Sequence, residues 1–101
     1  MTTNDLLEVH PALFDRVRLA IMAHLSVAKK PVDFNTLLAE LELTRGNLST
    51  HVRRLEEDGL VRINKTFVDR KTRTTYACTA RGKKEISQYL TAIEALLRSS
   101  L

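Results

Sequence analysis

The chain is expected to fold as a mainly α-helical protein with one small β-hairpin (α+β), and three observations lead there. Apolar residues recur at helical spacing in four separate stretches. One run of β-branched and aromatic residues, interrupted by a polar cationic patch, carries the pattern of a single hairpin. That hairpin falls between the third and fourth helical stretches, so the order is three helices, a hairpin and a long terminal helix, with no internal repeat.

The first helix is expected over 10–27, where Leu13, Val17, Ala20, Ile21 and Leu25 hold the helical period and Pro11 suits a first turn. Lys29-Lys30-Pro31 breaks it, because proline lacks a donor and restricts the residue before it. Two helices then share residues 33–58. Asp33 is suited to cap a short one whose buried side is Phe34, Leu37, Leu38 and Leu41, and Thr44 to cap the next. In that third helix Val52 and Leu55 lie within about 40° of Leu48 on a helical wheel. Gly46, Thr50 and Arg53 project to the far side, flanked by Asn47, Ser49 and Arg54, and Asp58-Gly59 ends the helix.

Residues 60–79 are read as the hairpin, with strands over 60–68 and 74–79. Asp69-Arg70-Lys71-Thr72-Arg73 would form a longer loop, since it offers no Gly or Asn-Gly for a two-residue turn. Alternation in the first strand is imperfect, because Lys65 shares the parity of Ile63 and Phe67. The last helix, 80–99, carries Ile86, Leu90, Ile93 and Leu97 at spacings of four, three and four, widened by Tyr89 and Leu96.

At 101 residues the chain is expected to be one domain, 1–101, with no room for a separate catalytic or sensor unit. Its 44% hydrophobic and 28% charged residues are those of an ordinary globular chain. No apolar run approaches the ~20 residues that cross a bilayer, so no membrane partner is expected. The opening MTTNDLLEVH has neither the basic nor the apolar region of a signal peptide, and the single Cys78 excludes an intramolecular disulfide framework; a cytoplasmic location is expected.

The net charge of +4 is unevenly placed: residues 44–84 hold 11 Lys or Arg against 4 Asp or Glu, and the remainder of the chain is net negative. A cationic patch in mid-chain attracts a polyanion. Two short helices joined by a tight turn, the second bearing small polar and arginine side chains outward, match a helix-turn-helix whose second member enters the major groove. Small residues let the helix axis approach the bases. Asn47, Ser49 and Thr50 can bond base edges or phosphates, and Arg53 and Arg54 can reach guanine or backbone oxygens. Arg70, Lys71 and Arg73 of the hairpin can reach phosphates or a narrow minor groove.

These residues resemble the winged helix-turn-helix of MarR/ArsR-type transcriptional regulators, especially small stand-alone winged-helix DNA-binding domains. The matching features are T-x-G-N-L-S-x-H from Thr44 to His51, L-E-x-x-G-L-V from Leu55 to Val61, D-R-K-T-R from Asp69 to Arg73, T-x-x-G from Thr79 to Gly82 and, less specifically, residues 14–21. The resemblance implies a dimeric regulator of double-stranded DNA, with Arg45, Gly46, Asn47, Ser49, Thr50, His51, Arg53 and Arg54 on the recognition helix and Arg70, Lys71 and Arg73 in the wing. It places a homodimer contact on the first and last helices, through Leu13, Val17, Ile21, Ile86, Tyr89, Leu90, Ile93 and Leu97, and makes the last helix a C-terminal dimerisation helix. A helix with such a stripe packs either inward or against a twin.

Other functions find less support in the residues. His10, His24, His51 and Cys78 match no zinc spacing, and the metal-sensing cysteine pair of ArsR proteins is absent, so no metal or other cofactor is expected. No phosphate loop, nucleophile elbow or paired-carboxylate motif appears, so no enzyme is expected. Glu56-Glu57-Asp58 closes a helix and suits solvent or nearby arginines. The competing reading is a winged-helix docking module that never touches DNA, since fold does not fix function.

Overall fold

The computed structural model describes residues 3–100; Met1, Thr2 and Leu101, the ends of the span expected as one domain, lie outside the described residues. A 3-10 helix, Thr3–Glu8, and a second, Pro11–Phe14, precede helix α1, Arg16–Val27. The helix expected over 10–27 is therefore interrupted. Asp15 is extended, and its carboxylate accepts from the backbone N–H groups of Val17 and Arg18 at 2.9 and 3.0 Å. An aspartate that satisfies first-turn donors is a stronger start signal than the helical period running through it. His10 caps the preceding 3-10 turn, its Nδ1 accepting from Ala12 N–H at 3.1 Å.

Helices α2, Phe34–Leu41, and α3, Arg45–Glu57, begin at Asp33 and Thr44, the two caps anticipated. Both end in the same motif. After α2, Leu43 N–H bonds Leu38 O and Glu42 N–H bonds Ala39 O; after α3, Leu60 N–H bonds Leu55 O and Gly59 N–H bonds Glu56 O. This double closure requires a left-handed residue, which glycine supplies without strain. Gly59 fills the slot after α3 at φ 77°, whereas Glu42, at φ 53°, fills it in the turn joining α2 to α3.

Strands β2, Val61–Val68, and β3, Lys71–Cys78, pair antiparallel from Val61 opposite Cys78 to Val68 opposite Lys71. Only Asp69 and Arg70 lie between them, so the expected longer loop is corrected to a two-residue turn. Both residues have positive φ, 49° and 64°, as a type I′ turn demands. The continuous strand pairing holds them there against their own preference. A two-residue strand, β1 (Val32–Asp33), adds to the outer edge of β3, giving the order β1-β3-β2.

Helix α4, Ala80–Ser100, is capped by Thr79, whose hydroxyl accepts from Gly82 N–H at 2.9 Å and donates to Gly59 O at 2.7 Å. The T-x-x-G motif thus ties the start of α4 to the end of α3. Gly82 is where α4 presses on the sheet entry: a Cβ placed there would lie 2.2 Å from Leu60 O.

Leu13, Ile21, Met22 and Leu25 meet Leu37, Leu48, Leu55, Leu60 and Ile86 in one core. This corrects part of the expected dimer contact. Leu13, Ile21 and Ile86 are 1%, 0% and 4% exposed, so they are spent on the chain's own core and offer a partner nothing. Val17, Tyr89 and Ile93 are half-buried, while Leu90 and Leu97 remain 57% and 61% exposed. No helix among the described residues is long and apolar enough to cross a membrane.

Candidate nucleic-acid interface

Burial of Leu48, Val52 and Leu55 fixes how α3 is rotated, and every other candidate residue follows from that rotation. Arg45, Gly46, Asn47, Ser49, Thr50, Arg53 and Arg54 are exposed. The structure therefore gathers seven of the eight residues singled out on this helix onto its solvent-facing side.

They are not equally available. Arg45 lies over the Phe34 ring, 5.6 Å from its centroid, and donates to Asn35 Oδ1 at 3.3 Å. The Thr50 hydroxyl donates to Gly46 O at 2.9 Å, leaving its oxygen as an acceptor. Arg54 donates to Asp58 Oδ2 at 2.7 Å, one turn along the same helix, an exposed pair worth only a few tenths of a kcal/mol and easily exchanged. Arg53 enters no hydrogen bond or ion pair among the described residues. Its guanidinium is left uncommitted on α3.

His51, the eighth, is half-buried and faces inward to α1. Arg18 Nη1 lies 3.2 Å from its Nδ1 while Arg18 Nε donates to Ala12 O at 2.8 Å. A guanidinium only donates, so within this contact Nδ1 can serve only as the acceptor. Asp15 Oδ1 lies 3.9 Å from the same Nδ1. The Arg18 backbone N–H, bonded to the Asp15 carboxylate, holds that carboxyl below its usual range, aided by the Arg18 charge. His51 thus joins α3 to the start of α1 and belongs to the scaffold that positions the face.

The hairpin stands beside α3. Ile63, Lys65 and Phe67 share one face of β2 with Thr72, Thr74 and Tyr76 opposite. That face and α3 enclose an open cleft of about 620 Å³ lined by Ser49, Arg53, Glu56, Ile63, Lys65 and Thr74. Lys65, absent from the expected set, faces the same cleft as Arg53. Its broken alternation was the available signal: a lysine at a core-parity position marks where the sheet leaves the core. Burial, then the nearby Glu56 charge, raises the hydroxyl pKa of Tyr76 at the cleft floor.

The three wing cations separate. Arg70 sits in the turn and Lys71 beside it, both exposed and unpaired among the described residues. Arg73 projects from the opposite sheet face and reaches Asp33 Oδ2 at 3.6 Å. Asp33 is meanwhile held ionised by the Thr36 backbone N–H, with a smaller contribution from Arg73. Arg73 therefore braces the wing against the cap of α2.

Known proteins share this fold. Residues 17–97 match the profile of the winged helix DNA-binding domain. The chain is 32% identical over 83 residues to an uncharacterized protein of Methanocaldococcus jannaschii, covering 82% of this chain and 89% of that one. It superimposes on a transcriptional regulator homologue from Pyrococcus horikoshii with a TM-score of 0.84 at 33% identity, covering 96% and 97% of the two chains. MepR of S. aureus in its complex with DNA shares the fold at a TM-score of 0.72 and 14% identity, over 96% of this chain and 74% of that one.

Proposed function

Because the chain belongs to the winged helix DNA-binding domain family, we propose that it is a sequence-specific regulator of transcription that binds double-stranded DNA as a homodimer. The observation that carries this reading is the pairing of an exposed face on α3 with no acidic residue from Arg45 to Arg54 and a cleft lined by both Arg53 and Lys65, where Glu56 is the one acidic neighbour. Phosphates tolerate such a surface; a protein partner is served poorly by it, since protein interfaces lose charge toward their centre.

In this mechanism α3 enters the major groove. Gly46, Asn47, Ser49 and Thr50 allow close approach and bond base edges or phosphates, and Arg53 reads a guanine or clamps a phosphate. Arg54 exchanges Asp58 for a phosphate. Arg45, held by Phe34 and Asn35, meets the backbone at the start of α3. Arg70 and Lys71 hold the neighbouring backbone or minor groove, while Arg73 and His51 support the face from behind. The solved complex of MepR with DNA lends the same fold to this use.

The dimer rests on the bare part of the terminal stripe. Leu90 and Leu97 of α4 are exposed, as is Phe14, which meets Tyr89 edge-on at 6.1 Å between ring centroids. Together they form an apolar edge for a second copy, and a two-fold axis there sets two recognition helices on one side of a duplex.

Selection of duplexes from a randomised pool, followed by sequencing, tests the reading. It should enrich an inverted repeat with half-sites about one helical turn apart, and Arg53→Ala should erase the preference at one base position of each half-site. Retention of DNA with no enriched sequence overturns the claim of specificity.

A further inference from the structure

The wing carries an apolar feature that cations do not explain. Phe67 is 72% exposed and Val68 47% exposed, next to the turn at the far end of β2. Consecutive strand residues point to opposite faces, so Phe67 and Val68 straddle the ribbon, one on each side. A surface that docks on a protein concentrates its apolar residues on one face. An apolar side chain on both faces of a narrow tip has the form of a wedge.

Its surroundings choose the occupant. Lys65 precedes Phe67 on the same sheet face, and Arg70 and Lys71 follow within four residues, all exposed and without ion pairs among the described residues. Asp69 is the sole acidic residue between Lys65 and Arg73. Lys65 lies on the Phe67 face, Lys71 opposite Val68 on the other face and Arg70 in the turn, so cations flank the apolar tip on both sides as phosphates flank a base stack, and apolar side chains inserted from the minor groove between base pairs are a recognised way to kink a duplex. The strained Asp69-Arg70 turn keeps the tip two residues wide, narrow enough for a groove that a broad loop would not enter.

We propose that Phe67, backed by Val68, is a wedge that enters the minor groove beside the recognition helix and partly unstacks one base step. This rests on the DNA-binding reading above and adds to it a contact that reads duplex deformability rather than base identity.

The chain has no tryptophan, so Phe67→Trp supplies a single indole fluorophore at the tip. Fluorescein-labelled duplexes are titrated by anisotropy, and the indole emission of this variant is read in parallel with unlabelled duplex. The wedge predicts strong quenching of that emission on saturation. It also predicts about tenfold weaker binding for Phe67→Ala, with an unchanged slope of affinity against salt because no charge is removed. End-to-end energy transfer across a doubly labelled duplex should report a bend with the wild type that Phe67→Ala reduces. Binding of the Phe67→Trp variant with unquenched indole emission, together with full affinity for Phe67→Ala, overturns the wedge and leaves the regulator reading standing. Failure of every variant and the wild type to bind any duplex overturns both. If Phe67→Ala instead abolishes self-association in sedimentation while DNA affinity holds, the wedge is overturned in favour of a contact between copies.

Discussion

Gly82→Ala should destabilise the chain, although alanine is the better helix former. A Cβ at position 82 would stand 2.2 Å from Leu60 O, 2.9 Å from Cys78 Sγ and 3.0 Å from Met22 Cε. The methionine end can swing away, but the carbonyl cannot: Leu60 O accepts the Thr79 N–H at 3.1 Å, where the sheet meets α4. Relieving the clash moves α4 outward by about an ångström. Overpacking of this kind costs about 1–3 kcal/mol, and stretching the Thr79–Leu60 bond adds about 1 kcal/mol. Higher helix propensity returns about 1 kcal/mol. The net loss is then about 2 kcal/mol, a fall in Tm of roughly 10 °C at this size. Gly46→Ala is the control, because nothing lies within 4 Å of its built Cβ and the same substitution there should raise Tm slightly. Thermal and urea unfolding followed by circular dichroism read both variants. A Gly82→Ala protein as stable as the wild type would refute the close approach of α4 to Leu60.

Three further outcomes follow from the same geometry. Glu42→Gly should stabilise the chain by about 0.5–1 kcal/mol, read as a higher urea midpoint, because it relieves a left-handed glutamate in the α2–α3 turn. Asp15 and Asp33 titrate below the ordinary value of about 3.9 when folded, so their caps stabilise fully above about pH 4 and fail as pH falls through the lower folded values. Urea midpoints should therefore drop below about pH 4, and the Asp15→Asn, Asp33→Asn double variant should lose part of that dependence. Leu90→Asp with Leu97→Asp should give a folded monomer by sedimentation, since both side chains are exposed, whereas Leu13→Asp should unfold the chain. A dimer persisting in the double variant would move the interface elsewhere.

The sequence announced the framework through signals that are local. Thr44, Asp33 and Gly59 act where capping chemistry places them, and the stripe of Leu48, Val52 and Leu55 orients α3 as its period required. What escaped depends on contacts distant in the chain. β1 is two residues long, too short to show alternation, and exists through pairing with β3 more than 40 residues later. The turn at Asp69-Arg70 lacks the Gly or Asn that announces positive φ, because strand pairing imposes its conformation from both sides. A helical stripe tells which side of α4 is apolar, but not what covers it. Ile86 meets the core while Leu90 and Leu97 do not, and that distinction separates core residues from those left exposed on the same stripe. On α3 the exposed set was legible as a group. The division into uncommitted Arg53, tethered Arg45 and Arg54, and inward-facing His51 needed side-chain geometry.

That this face binds a duplex through its phosphates and bases is tested most directly by fluorescence anisotropy of a labelled duplex across a salt series. Affinity should fall linearly with salt on logarithmic axes, with a slope near −0.9 for each phosphate neutralised, and Arg70→Ala should make that slope shallower by about one. Absence of binding at low salt, or a slope unmoved by removing wing and α3 cations together, would contradict it.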